Sequence, residues 1–177
     1  AVSGVGSLTK DGAGSVTLNG VNTYAGGTNI NAGKVIVSKD GSLGTGQATF
    51  ASGTELETSA AVNLANSVQL AGNATLHSLS NDSSLSGIIS GTGSLTKDGT
   101  GSLMLSNTNT YAGGTSINVG KVIVSTNAAL GTGKATFATG TELETSAAVS
   151  LANSVHLAGN ATLHSLANNS TLSGVVS

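Results

Sequence analysis

Single aliphatic residues alternate with small polar ones along most of the chain, in runs of four or five residues broken by glycine-rich clusters. The runs include Ser15–Asn19 (SVTLN), Lys34–Ser38 (KVIVS), Ala48–Ala51 (ATFA), Thr54–Thr58 (TELET) and Ala74–Ser78 (ATLHS). A period of two sends successive side chains to opposite faces, the pattern of a half-buried β-strand. Between the runs lie KDGAG at Lys10–Gly14, YAGG at Tyr24–Gly27 and DGSLGTG at Asp40–Gly46. Asp-Gly and Gly-Gly supply the positive φ that tight corners need. No stretch carries an apolar stripe at helical spacing; the nearest, Thr58–Asn66, is short and has no capping residue at its end. The pattern predicts many short strands joined by frequent corners.

The chain also repeats itself. Shifted by 87 positions it superimposes on itself without insertion or deletion, placing Tyr24 on Tyr111, Phe50 on Phe137 and His77 on His164. Glu55 and Glu57 land on Glu142 and Glu144 in the same way. Such a period marks an architecture in which each unit buries its apolar surface only against its neighbours. An antiparallel sandwich is the competing arrangement, but it usually fills its core with larger aromatics, and only 2% of these residues are aromatic. The expectation is an all-β parallel β-helix (a β-solenoid) of about eight rungs in two 87-residue repeats, approximately residues 3–89 and 90–176. It would run as one continuous solenoid over residues 1–177. With about four rungs per repeat at the ~4.8 Å strand spacing, each repeat advances the axis about 19 Å, and the rod is about 40 Å long.

Alternation assigns the interior. Leu8, Val16, Leu18, Ile30, Val35, Val37, Phe50, Leu56, Leu64, Val68, Leu70, Leu76 and Leu85 point inward, with equivalents 87 residues on. Burying one such side chain is worth about 1.5–3 kcal/mol. The positive mean hydropathy of +0.20 and the strict alternation both argue against a disordered polar linker.

Composition then removes several functions. The net charge is −2, and the six basic residues are all lysines, so there is no counterion-releasing surface for nucleic acid and little to stack bases on. No apolar run reaches the ~18 residues of a membrane span. Cysteine is absent, which fits a protein exported without disulfides.

The motif content is more specific. Gly91–Val124 reads GTGSLTKDGTGSLMLSNTNTYAGGTSINVGKVIV, and Gly4–Val37 is its first copy. The elements Gly93, Leu95, Thr96, Lys97, Gly99, Gly101, Leu103, Leu105, Asn109, Thr110, Tyr111, Gly113, Gly114, Thr115 and Ile117 resemble, in order, the passenger-associated repeat of bacterial autotransporters. The resemblance covers about 34 residues of each 87; the remaining residues look like less specific rungs. It implies a right-handed parallel β-helix exported by the type V pathway, at the cell surface of a Gram-negative bacterium or secreted. Passengers of this family are mostly adhesins, biofilm factors or spacers. Its signal peptide and C-terminal outer-membrane barrel have no counterpart in these residues, which implies a slice of a longer passenger.

Candidate chemistry is sparse. Glu55 and Glu57 lie two apart on one strand, so both project from one face, and paired carboxylates suit glycoside hydrolysis. Their recurrence as Glu142 and Glu144 favours a solvated acidic spot on an edge. His77 and His164 are copies about four rungs apart and cannot share one ion, while His156 replaces Gln69. His156 and His164 could approach in adjacent strands, yet no cysteine and no nearby acidic partner supports zinc. The string GTGKAT at Gly131–Thr136 lacks the first glycine of a phosphate loop, which would fall at Ala128, and the other copy has Gln47 for the lysine. Asn73, Asn81, Asn160, Asn168 and Asn169 begin Asn-any-Ser/Thr triplets, and asparagine ladders at corners are the favoured role.

No catalytic, cofactor-binding or metal-ligating residue is therefore expected, and no cofactor. The expected function is a non-enzymatic adhesin segment acting as a surface stalk, with possible roles in cell–cell or surface adhesion. A polysaccharide-degrading β-helix fragment and a self-assembling filament are the alternatives. Expected partners are further copies of the chain, end to end or side by side, or host and abiotic surfaces, with no nucleic acid and no membrane insertion by this segment.

Overall fold

In the computed structural model, which describes residues 1–166 and 169–177, the alternating runs become strands and the glycine clusters become corners. Coil one holds β1 (Leu8–Lys10) and β2 (Ser15–Leu18), and coil two holds β3 (Thr28–Ile30) and β4 (Lys34–Val37). Coil three has β5 (Ala48–Phe50), β6 (Thr54–Thr58) and β7 (Asn63–Leu64). Coil four has β8 (Val68–Leu70), β9 (Ala74–Ser78) and β10 (Ser83–Leu85). Coil five has β11 (Ile89–Gly91), β12 (Leu95–Asp98) and β13 (Ser102–Leu105). Coil six has β14 (Thr115–Ile117) and β15 (Lys121–Val124). Coil seven has β16 (Ala135–Phe137), β17 (Thr141–Thr145) and β18 (Ser150–Leu151). Coil eight ends the series with β19 (Val155–Leu157), β20 (Ala161–Ser165) and β21 (Thr171–Leu172).

Among the described residues every strand pairing is parallel and joins one coil to the next, which makes the fold a parallel β-solenoid of eight coils with three faces. One face stacks β1, β3, β5, β8 and β11; the second runs through all eight coils, from β2 to β19; the third runs from β7 to β20. Above β11 the first face continues as irregular backbone, through Thr110 N to Ile89 O and Thr132 N to Tyr111 O, towards the β18–β21 pair. Among the described residues no helix is long and apolar enough to cross a membrane.

The core is a bundle of columns parallel to the axis. On the second face Val16, Val35, Leu56, Leu76, Lys97, Ile117, Phe137 and Leu157 stand one above another, each in register with the next. Burial depends on position in the stack. Leu70 and Leu76 are 1% and 3% exposed, while their copies in the last coil, Leu157 and Leu163, are 47% and 49% exposed. At the other end Val16 is 41% exposed and its copy Leu103 is fully buried. The inward assignments thus hold through the middle coils. Leu8, Val16, Leu18, Leu157, Leu163 and Leu172 are only partly covered, because each has a coil on one side alone.

Coil and repeat have different lengths. From Leu8 the register passes to Thr28, then Ala48, Val68 and Ile89, so four coils consume 81 residues. The other six of the 87 carry the chain round one corner to Leu95, the first residue of β12 on the second face. The same shift moves β4 and β6 of the second face onto β15 and β17 of the third. One repeat is therefore four coils and one face, and its copy is rotated about the axis by roughly a third of a turn. The repeat of about four rungs read from the sequence gains this extra step.

Leu76 and Leu163 share the context ATLHSL and differ only in what lies above them. Leu76→Ala is expected to destabilise by about 2–5 kcal/mol, the range for emptying a packed aliphatic site. Leu163→Ala should cost about 1 kcal/mol or less, as at a surface position. Urea unfolding of both variants checks this; equal losses would show that stacking does not set burial.

Candidate functional site

Outward side chains form columns too, and on the second face one of them gathers charge. Lys34, Glu55 and Thr75 are in register across β4, β6 and β9, with Ile36, Glu57 and His77 beside them. Lys34 Nζ lies 2.9 Å from Glu55 Oε1 and 2.8 Å from Glu57 Oε2, and His77 Nδ1 lies 3.3 Å from Glu55 Oε1. The second repeat rebuilds the group on the third face. Lys121 Nζ is 2.9 Å from Glu144 Oε2 and 3.6 Å from Glu142 Oε1, and His164 Nδ1 is 3.2 Å from Glu142 Oε1.

Three sequence expectations are corrected here. The carboxylates sit in a central strand between a lysine and a histidine of the flanking coils, not on a solvated edge. The histidines do have acidic partners, because residues about 20 apart in sequence stack at one height. His156 and His164 do not meet in adjacent strands: β19 and β20 belong to different faces of one coil, and His156 Nδ1 lies 3.4 Å from Ser177 Oγ instead.

The geometry limits what the cluster can do. The ammonium of Lys34 fills the space between the two carboxylates, where a hydrolase would need a sugar or a water. Hydrogen bonds to Glu57 and then to Glu55 hold the Lys34 pKa above the usual lysine value; Lys121 is raised likewise, chiefly by Glu144. Donor atoms of Glu55, Glu57 and His77 lie within 4.8 Å of one another, as do those of Glu142, Glu144 and His164, and each lysine supplies the cation. The groups bridge three successive coils from outside.

Other candidate positions resolve into corners. Gly131, at the head of GTGKAT, has φ +69°, and a Cβ there would meet Tyr111 O at 2.5 Å and its ring at 2.9 Å. Asn73 is exposed, and its Oδ1 accepts a hydrogen bond from Ser94 N of the next coil. Asn160 and Asn169 are exposed and Asn81 is half-buried, while Asn168 lies outside the described residues.

The polar residues that tie the coils together include Lys97, Asn109, Tyr111 and Thr115 of the repeat motif, to which the sequence alone assigned no structural role. Lys97 is inward in the second-face column and fully buried; its Nζ donates to Asp98 O, Gly99 O and Val119 O at 2.8, 2.7 and 3.3 Å. Lys10 repeats this with Asp11 O, Gly12 O and Ala32 O. An ammonium has three protons, and each corner offers three carbonyls, one of them from the following coil. The alternation of Leu95, Thr96 and Lys97 carries the clue, since in-out-in leaves the lysine inside.

Asn66 Nδ2 donates to Gly44 O and Gly46 O, and Asn153 does the same to Gly131 O and Gly133 O. Asn109 accepts from Ile89 N and donates to Ala129 O, so it stitches coils five, six and seven. Thr115 Oγ1 donates to Leu130 O, and the Tyr111 hydroxyl, 2.5 Å away, gives its proton to Thr115. Tyr24 and Thr28 form the same relay to Leu43 O.

Most of this wiring falls in two segments, residues 8–37 and 95–124, that match the passenger-associated-transport-repeat family. Among curated proteins the chain is similar to the adhesin BmaC autotransporter of Brucella suis biovar 1 (strain 1330), with 37% identity over 123 residues. The match takes in 67% of the chain and 4% of that relative's length. No solved structure matches the chain.

The buried wiring gives stability a defined pH dependence. Burial pushes the Lys97 pKa down to about 8, against a smaller opposing effect of the Asp98 charge. An unfolded lysine holds its proton to about pH 10.4, so between these values the unfolded chain binds the extra proton and stability rises with pH. Burial raises the Tyr111 pKa, so above about pH 10 the unfolded phenol ionises while the folded one does not, and stability falls. Urea unfolding from pH 7 to 11 should show the rise vanish in Lys97→Met and the fall lessen in Tyr111→Phe. A pH-independent difference between wild type and Lys97→Met would contradict the desolvated ammonium.

Proposed function

We propose that this segment, which carries two passenger-associated-transport repeats, is a non-enzymatic length of a bacterial surface adhesin, held out from the cell as a stiff stalk. The observation that carries the reading is the copying itself. The outward group of Lys34, Glu55, Glu57 and His77 recurs intact after 87 residues as Lys121, Glu142, Glu144 and His164, turned by a third of a revolution, with its lysine and carboxylates already paired. A site evolved for one substrate needs one arrangement facing one way; a stalk needs length and a surface that is similar all round. The similarity to an autotransporter adhesin supports display on, or release from, a Gram-negative cell. Contacts with further copies, or with host and abiotic surfaces, belong to the same proposal.

The polysaccharide-degrading alternative loses its main support, since a lysine separates the only paired glutamates of each repeat. In a chain given one more copy of residues 90–176, four coils and one face at ~4.8 Å each should lengthen the rod by about 21 Å. Small-angle scattering reads the change. An unchanged maximum dimension would sink the stalk reading. Release of reducing sugar from any polysaccharide, lost in Glu55→Gln/Glu57→Gln, would return the enzyme.

A further inference from the structure

Copying of the carboxylates fails at two positions, and both line one groove. Asp11 and Asp98, Glu55 and Glu142, and Glu57 and Glu144 are pairs 87 residues apart. Asp40 and Asp82 are the exceptions, since the matching residues are Asn127 and Asn169. Together with Asn63, Ser84, Met104 and Ile123 they line an open groove of about 460 Å³ in the third face. A second hollow begins at the same Asp40 and Asn63 and continues past Gly44 and Thr45. These residues belong to coils two to six, each of which has a coil on either side.

The fold does not require the charge at Asp40. Its Oδ1 accepts from Asn63 N at 2.8 Å, and Asn127 Oδ1 accepts from Ser150 N at 2.9 Å in the same way. An amide oxygen thus closes this corner as a carboxylate does. Asp82 Oδ1 accepts from Ser102 N, and hydrogen bonds from Ser102, with a smaller effect of Lys121, hold its carboxyl below the usual aspartate range. Both aspartates are exposed, and among the described residues neither is in an ion pair; Lys121 is held by Glu142 and Glu144. Along the axis Asn63, Ser84, Met104 and Ile123 are in register on successive coils. The end nearest Asp40 is polar, and the other end is a half-buried apolar floor of Met104 and Ile123. Met104 stands where the first repeat has Thr17, so this floor is not copied either. No aromatic ring lines the groove for a sugar to stack on, and two carboxylates repel phosphate.

We infer that this groove binds an extended basic segment of a partner protein. Lysine or arginine side chains of the segment lie on Asp40 and Asp82, and an aliphatic side chain lies on Met104 and Ile123. Coils two to six span about 19 Å at the ~4.8 Å strand spacing, the length of about six extended residues. Charge attraction brings the segment in, and the floor gives its aliphatic residue apolar cover. The interaction goes beyond the stalk reading and does not rest on it; failure to bind would leave the length of the rod unaltered.

The test is an NMR titration of the isotope-labelled 177-residue chain with the blocked peptide Lys-Ser-Lys-Ser-Leu at low salt. Backbone resonances of Asn63, Ser84 and Ser102 should shift, and those of Ser150, the copy of Asn63, should not. Shifts centred on Glu55, Glu57 and His77 or on their copies would overturn the inference, as would no shift at all. Asp40→Asn with Asp82→Asn brings in the residue types of the second repeat. Binding should then weaken about fivefold or more, the loss expected of two exposed ion pairs. Unchanged affinity in this variant would reject the carboxylates. Met104→Thr, the residue type at Thr17, should weaken the same peptide and leave Lys-Ser-Lys-Ser-Ser unaffected. Equal affinity of the two peptides for wild type would reject the apolar floor. Glu-Ser-Glu-Ser-Leu should not bind, and its binding would overturn the charge assignment.

Discussion

Burial of an inward side chain in this molecule depends on the coil before and the coil after it. The column from Val16 to Leu157 contains eight residues from eight coils, and it is buried in the middle and exposed at both ends. A globular core packs a side chain from all sides, so its burial is set by the whole fold. Here it is set by two neighbours about 20 residues away in either direction, joined to it by a parallel backbone ladder. Stability of this kind is a sum of coil and interface contributions. The same ATLHSL sequence can thus be core at Leu76 and surface at Leu163.

A thin core leaves little room for polar groups, and its buried lysines and asparagines are hydrogen-bonded at the corners. Lys97 stands in the apolar column yet reaches the corner, where three carbonyls take its three protons. Asparagines close corners in the same way without a charge, as Asn66 and Asn153 use both amide protons on carbonyls of the preceding coil. Corners are where a solenoid's backbone leaves the ladder, so they are where unpaired carbonyls collect. The motif shared by 8–37 and 95–124 places a lysine, an asparagine and a Tyr–Thr pair at successive corners. Each of these residues closes a turn.

Much of the fold is legible in the alternation. Leu56, Val35 and Ile30 point inward as the period of two requires, and the glycine clusters turn the chain. The polar placement is less legible. Lys97 looks like a surface residue by type, and only the strict in-out-in order of Leu95, Thr96 and Lys97 places it inside. Glu55 and His77 are 22 positions apart, and no local pattern connects them. Their contact needs the coil length, which varies from 19 residues between Ser15 and Lys34 to 21 between Val68 and Ile89.

The amino-acid sequence alone therefore determines the strand and corner pattern, the inward set, the 87-residue duplication and the kinship with autotransporter passengers, because each is written in local periodicity or direct self-match. Tertiary structure alone decides which residues meet across coils, how the charged groups form, and that one repeat overshoots four coils by a face. Those depend on the exact number of residues in each turn, a quantity set by corner geometry and stacking together. A difference of one residue per coil leaves the alternation intact and moves every outward side chain to a different neighbour.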